Sequence, residues 1–144
     1  MSIREKIAEN LVDTLRGIRQ PVEAKYVTRE PFDFDKLSNA QFPAILVRTA
    51  NEDREDNTVG GNTAKRLGTI NYELICYVKG KNIDTARNNI IEGIEEKLDA
   101  DRTRGGNALD TSIRSVEVDQ GSITPIGGVI ITLRVLYDFT RGTL

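Results

Sequence analysis

The sequence predicts an α+β fold: one domain with a mixed, largely antiparallel sheet and two helices packed on one of its faces. Three observations carry this. Residues 2–18 and 82–98 repeat their apolar side chains at helical spacing. Residues 67–79 and 129–139 alternate apolar and other side chains with the period of two of a strand. The order of elements is helix, two or three strands, helix, two strands. No internal repeat, linker or low-complexity tract interrupts it, which fits one sheet covered by helices. The 144 residues suit a single domain and can bury a core without disulfide staples.

In the first helix Ile3, Ile7, Leu11, Leu15 and Ile18 form one apolar stripe, widened by Ala8 and Val12. Ser2 and Glu5 have capping-box spacing, Arg16 and Arg19 suit the negative end of the helix dipole, and Pro21 stops the helix. Residues 22–27 allow a short strand. Residues 31–35 read as a loop anchored by Phe32 and Phe34. Residues 43–49 form a strand entered by Pro43, which cannot donate to a ladder. Residues 51–66 contain only Val59 and Ala64 as apolar side chains, so the expectation is a long hairpin tip, the most mobile internal segment.

The strand at 67–79 places Ile70, Tyr72, Leu74, Cys76 and Val78 on one face. At ~3.3 Å per residue it would span about 40 Å, beyond a typical strand, so it should bend or project past the core. In the second helix Ile83, Ala86, Ile90, Ile91, Ile94 and Leu98 form the apolar face, with Asn82 as N-cap. A polar loop at 99–109 leads to a strand at 111–118, and Asp119-Gln120-Gly121 opens a turn. The last strand, 129–139, points Val129, Ile131, Leu133, Val135, Tyr137 and Phe139 one way. Ile130, Thr132, Arg134, Leu136 and Asp138 point the other way. Residues 141–144 read as a loose tail.

Composition narrows the function classes. Twenty basic and 22 acidic residues give a net charge of −2, so no bulk attraction to nucleic acid or anionic membrane is expected. Apolar runs are far shorter than the ~20 residues of a membrane span, and residues 1–5 carry no apolar signal core, so the protein is expected in the cytosol where it is made. One cysteine excludes an internal disulfide. With no histidine, Ser-His-Asp and Cys-His chemistry and the HExxH zinc motif are excluded.

The remaining candidates for chemistry read as structure. Glu52, Asp53, Glu55 and Asp56 lack calcium-loop spacing and read as a solvated loop. Asp33 and Asp35 suit turn chemistry. Gly60-Gly61-Asn62 and Gly105-Gly106-Asn107 lack phosphate-loop spacing and read as turns. Lys65, Arg66, Arg102 and Arg104 are isolated basic positions without the interleaved aromatics of sequence-specific nucleic-acid binding. Cys76 reads as a buried small hydrophobe, and Tyr72, Tyr77 and Tyr137 as core. No cofactor or metal is expected.

The backbone pattern is more telling. Two helices can hide only one face of a single sheet, yet Ile130 and Leu136 lie on the other. Either 22–42 covers that face or another subunit does. Arg54, Lys65, Arg66, Ile130 and Leu136 are therefore the candidate interface residues, the three cations from the long hairpin and the two apolar residues from the last strand.

The chain resembles the tail terminator proteins of long-tailed bacteriophages, including the lambdoid minor tail protein U type, over nearly its full length. The residues that carry this are the Ile-Arg-Glu-x-Ile…Leu-Val-x-x-Leu helix at Ile3 to Leu15, the proline-entered strand Phe42-Pro43-Ala44-Ile45 and the long strand and helix from Tyr72-Glu73-Leu74 to Leu98. The last are Asp119-Gln120-Gly121, Gly127-Gly128 and the closing strand with Tyr137. The resemblance implies a virion structural protein at the neck-proximal end of the tail, assembled in the host cytoplasm. It implies a homo-oligomeric, hexameric ring that caps the tail tube, ends its polymerisation and meets a neck or head-completion protein. In a contractile tail it would also meet the sheath. It implies no reaction and no cofactor. A head-completion or neck connector protein and a small-molecule-binding α+β domain remain the alternatives.

Overall fold

A computed structural model describes residues 1–56, 64–119 and 125–140. The first helix, α1 (Ile3–Arg16), starts at Ser2, whose hydroxyl accepts the Glu5 amide at 3.1 Å. The capping box is only half made. Glu5 turns instead to Arg29, which grips both its oxygens at 2.6 and 3.1 Å. Arg19 donates to the carbonyls of Arg16 and Ile18, satisfying acceptors left over at the helix end.

The strands are β1 (Tyr26–Thr28), β2 (Ala44–Asp56), β3 (Lys65–Lys79), β4 (Asp110–Val118) and β5 (Ile126–Thr140). They form one sheet in the order β1-β2-β3-β5-β4. Only the β1–β2 pair is parallel. The second helix, α2 (Ile83–Ala100), crosses from β3 to β4 and leaves between them the slot that β5 fills. Asn82 caps it by accepting the Thr85 amide at 3.3 Å. Pro43 precedes β2, and its carbonyl accepts the Lys25 and Tyr26 amides that lead into β1.

The core lies between the helices and one face of the sheet. Ile7, Leu11 and Leu15 of α1 and Ile90, Ile94 and Leu98 of α2 pack on Ile45, Val47, Ile70, Tyr72, Leu74, Cys76 and the odd residues of β5 from Val129 to Tyr137. The alternation that predicted these strands is therefore the alternation of burial. Burial pushes the Cys76 thiol up to about 12, so it stays protonated.

Two expectations about the polar segments change. The segment 51–66 is no loop in its described part: β2 runs on to Asp56 and β3 begins at Lys65, paired residue by residue. A ladder needs backbone partners and not apolar side chains, so composition understated it. The expectation for 57–63, Gly60-Gly61 included, lies outside the described residues, as do those for Gln120-Gly121 and the tail 141–144. In the 99–109 turn, Arg104 is fully buried. It donates to the carbonyls of Leu98, at 2.8 Å, and Asp101, and to Asn10 Oδ1 of α1 at 3.2 Å. It thereby caps α2 and ties it to α1. The turn needs positive φ at Arg104, Gly105 and Gly106, which two glycines supply without a Cβ clash.

Replacing Arg104 with Ala should cost roughly 2–4 kcal/mol, because buried carbonyls at the end of α2 lose a charged donor. Urea denaturation checks this; an unchanged midpoint would mean that the guanidinium holds nothing together.

Candidate interaction surface

The far end of the sheet has its own polar centre. β2 and β3 pair regularly up to Thr49, where the register slips at Ala50. A bulge of one residue reverses which side chains face the helices. It turns Glu52 and Arg54 to the helix side, where plain alternation would have put Asn51 and Asp53. The Glu52 side chain, 9% exposed, meets Arg4 of α1 at 2.6 Å, Arg54 at 2.6 Å and the Tyr137 hydroxyl at 2.7 Å. Arg54 also lies over the Phe139 ring, 5.0 Å from its centroid, and Phe139 stacks on Tyr137 at 5.6 Å. Gly68 makes room for this: a Cβ there would stand 2.8 Å from Tyr137 Cζ and 3.0 Å from Glu52 Oε2. Burial, and next the hydrogen bond to Glu52, push the Tyr137 hydroxyl up to about 12. Glu52 is thus the hub of a buried network and not part of a solvated charge run.

These contacts locate the candidate interface residues. Arg54 is engaged within the chain. Arg66 pairs with Asp56 at 3.1 Å, and Lys65 is exposed at the start of β3. Arg102 pairs with Asp110 at 2.6 Å, so neither it nor buried Arg104 is an isolated basic position on the surface. Ile130 and Leu136 both lie on the face away from the helices, half-buried. They are six positions apart along β5, about 20 Å at ~3.3 Å each. Each sits in its own depression: Ile130 with Ile75, Tyr77 and Gly128, and Leu136 with Leu67, Thr69, Asp110 and Arg134.

The segment after β1 covers part of this second face. Phe34 stacks on Tyr77 at 5.0 Å and Phe32 meets it edge-on at 5.8 Å. Tyr77 is therefore on the second face, under these two rings, and not in the main core as its apolar character suggested. The cover stops there. Across the middle of the face lie the Arg48–Glu73 ion pair and the Asn71–Asn51 hydrogen bond at 2.6 Å. The two outer edges of the sheet differ, and the β4 edge leaves Val116 and Val118 exposed. β1 covers β2 only at Ala44, Ile45 and Leu46, and the uncovered stretch carries the bulge at Ala50 and the charges of 52–56. On the opposite edge, β4 carries a bulge at Arg114. Bulges and charges on an edge oppose strand-to-strand extension.

Among the described residues no group of three His, Cys, Asp or Glu side chains could hold a metal ion, and no helix is long and apolar enough to cross a membrane. A depression lined by Glu9, Asp13, Arg16, Arg29 and Glu30 is a charged surface cleft.

No protein-family model matches the sequence, and no curated protein matches it. The solved structures similar to it include a chain from the "Virion of native gene transfer agent (GTA) particle". The identity is 12% and the TM-score 0.45, over 96% of this chain and 92% of that one. A likeness of that strength assigns no function.

Two outcomes follow from the polar contacts. Gly68→Ala should destabilise the protein by about 1–3 kcal/mol, since the Tyr137 ring cannot move without leaving Glu52; equilibrium unfolding reads this, and a neutral result would mean the ring shifts freely. The second concerns acid. The hydrogen bond from Arg29 holds Glu5 below its ordinary 4.5, and that from Arg102 holds Asp110 below its ordinary 3.8. A carboxyl depressed on folding adds stability above its unfolded value and loses it as pH falls through its folded value. The urea midpoint should therefore drop below about pH 4.5, and Arg29→Gln should flatten that drop. Equal acid slopes in both proteins would disprove the Glu5 contribution.

Proposed function

We propose that this chain is a non-enzymatic structural subunit of a phage virion, and more finely a tail terminator. In this reading it forms a homo-oligomeric, hexameric ring on the end of the tail tube, stops tube growth and presents a surface to a neck or head-completion protein, with the sheath as a further neighbour in a contractile tail. The observation that carries the reading is the second face of the sheet. It is half-covered and bears Ile75, Ile130 and Leu136. In this reading a neighbour is met through that face. The sequence resemblance supplies the kind of neighbour. Its quoted residues fall at α1, the entry to β2, β3 with α2, and β5 with Tyr137.

The energetics favour assembly on a template. Full burial of an Ile or Leu from full exposure is worth about 1.5–3 kcal/mol, and these side chains are already half-buried, so each adds roughly 1 kcal/mol. Association costs at least about 4 kcal/mol in lost freedom. A few such contacts do not hold a ring at low concentration, whereas a tube end that aligns the subunits removes much of that cost.

The test mixes the purified chain with tail tube protein and images tube ends. Ile130→Asp and Leu136→Asp, made separately because they lie in different depressions, should fold as the parent does and fail to cap tubes. Capping by both variants would remove the second face from the interface. Tubes that grow unchecked with the parent protein would overturn the terminator reading itself.

A further inference from the structure

The outer edge of β4 is open over its second half. Arg114, Ser115, Val116, Glu117 and Val118 are five consecutive exposed residues, with Val116 41% and Val118 49% exposed. Val116 pairs with Ile131 and Val118 with Val129, so both valines lie on the helix side of the sheet, beyond the cover of the helices. Glu117, paired with Ile130, lies on the second face. Arg114 lies there too, since its side chain lines the depression around Leu136. β4 is the last strand of the sheet, and no described strand pairs with its outer side. The opposite edge is closed. Arg16 donates to the Val27 carbonyl of β1 at 3.1 and 3.3 Å, and the bulge at Ala50 and the charges of 52–56 occupy the uncovered part of β2. Among the described residues the β4 edge is therefore the one that can still take a strand, beside an apolar strip that such a strand would cover.

We propose that two copies of this chain pair antiparallel through β4, about a two-fold axis normal to the sheet at Val116. Residues opposite one another in an antiparallel pair share a face. This register sets Val116 against Val116 of the second copy on the helix side, and Ser115 against Glu117 of the second copy on the second face. Arg114, beside Ser115 at the bulge, then stands next to that Glu117. Within the described chain no hydrogen bond or ion pair engages Arg114 or Glu117. A two-fold contact makes their pairing twice. Centring the axis on Glu117 would oppose two carboxylates, and centring it on Arg114 two guanidinium groups, so charge selects the register. The bulge ends the ladder at Arg114, which leaves five residues per copy, about 16 Å. A ladder this short buries less than the ~1,200 Å2 of a standard stable interface, so the pair is weak and concentration-dependent. It uses an edge and not the second face, and it stands apart from the terminator reading.

Sedimentation velocity of the full chain, from about 5 to about 500 µM, reads the pairing. A reversible monomer–dimer equilibrium is expected, with dimer dominant at the highest concentration. Arg114→Glu places like charges side by side at both ends of the ladder and should weaken the dimer roughly tenfold. Adding Glu117→Arg to that variant restores opposite charges and should return the dissociation constant to within about threefold of the parent. Val116→Lys, which sets two ammonium groups on the axis, should also weaken it roughly tenfold. These positions are exposed, and circular dichroism checks that each variant is folded; if Arg114→Glu is not, Val116→Lys decides. A parent that stays monomeric at the highest concentration overturns the proposal and leaves the edge to a strand of another protein. A dimer indifferent to the folded single variants, or one that the double variant fails to restore, overturns it as well. The tube-capping assay uses substitutions at Ile130 and Leu136, so either result can fail without the other.

Discussion

The strands outrun the helices that cover them. β3 and β5 have 15 residues each and β2 has 13, so at ~3.3 Å per residue they reach about 43–50 Å. α1 and α2 have 14 and 18 residues, about 21–27 Å at 1.5 Å per residue. A core built from helix stripes therefore ends well before the sheet does. Beyond it the sheet needs another way to hold its helix-side face, and the Glu52 centre provides one. Arg4 brings the start of α1 to it, Tyr137 and Phe139 bring β5, and the bulge at Ala50 aims β2 inward. Without Gly68 the Tyr137 ring could not lie across β3 to reach the carboxylate.

The same division of labour holds elsewhere along the helices. Apolar burial sets the depth at which α1 and α2 sit on the sheet, while polar contacts fix where they end. Arg104 links the last carbonyls of α2 to Asn10, and Arg87 ties α2 to Asp119 just past β4. Asp101 organises the intervening turn by accepting from the Thr103 hydroxyl and amide and the Gly105 amide, and the first of these does most to hold its carboxyl below the ordinary range. Such contacts are directional, so they specify one arrangement where apolar packing alone would tolerate several.

A sheet covered on one side raises the question of its other side. Here the answer is partial cover by Phe32 and Phe34, an ion pair in the middle, and apolar depressions at Ile130 and Leu136. The β2 edge carries a bulge and charges, whereas the β4 edge carries a bulge at Arg114 and exposed Val116 and Val118.

The elements were legible in the sequence because burial alternates where the pattern alternates. α1, α2, β3 and β5 follow directly from residues such as Ile7, Ile94, Leu74 and Leu133, and so does the assignment of Ile130 and Leu136 to the second face. Cys76 was identifiable as core for the same reason. What the sequence could not disclose were roles that depend on a partner distant in the chain. Glu52 looked like one carboxylate in a hydrated run because its three partners lie at positions 4, 54 and 137. Arg104 looked like a surface cation because the carbonyls it caps and the Asn10 it reaches are placed by folding. Tyr77 shares the aromatic character of Tyr72 but points the opposite way, which its odd position on β3 does signal and its hydrophobicity does not. Hydrophobic periodicity is a local property, so the chain carries it openly. The pairing of buried charges is a property of three-dimensional proximity, and only the tertiary structure decides it.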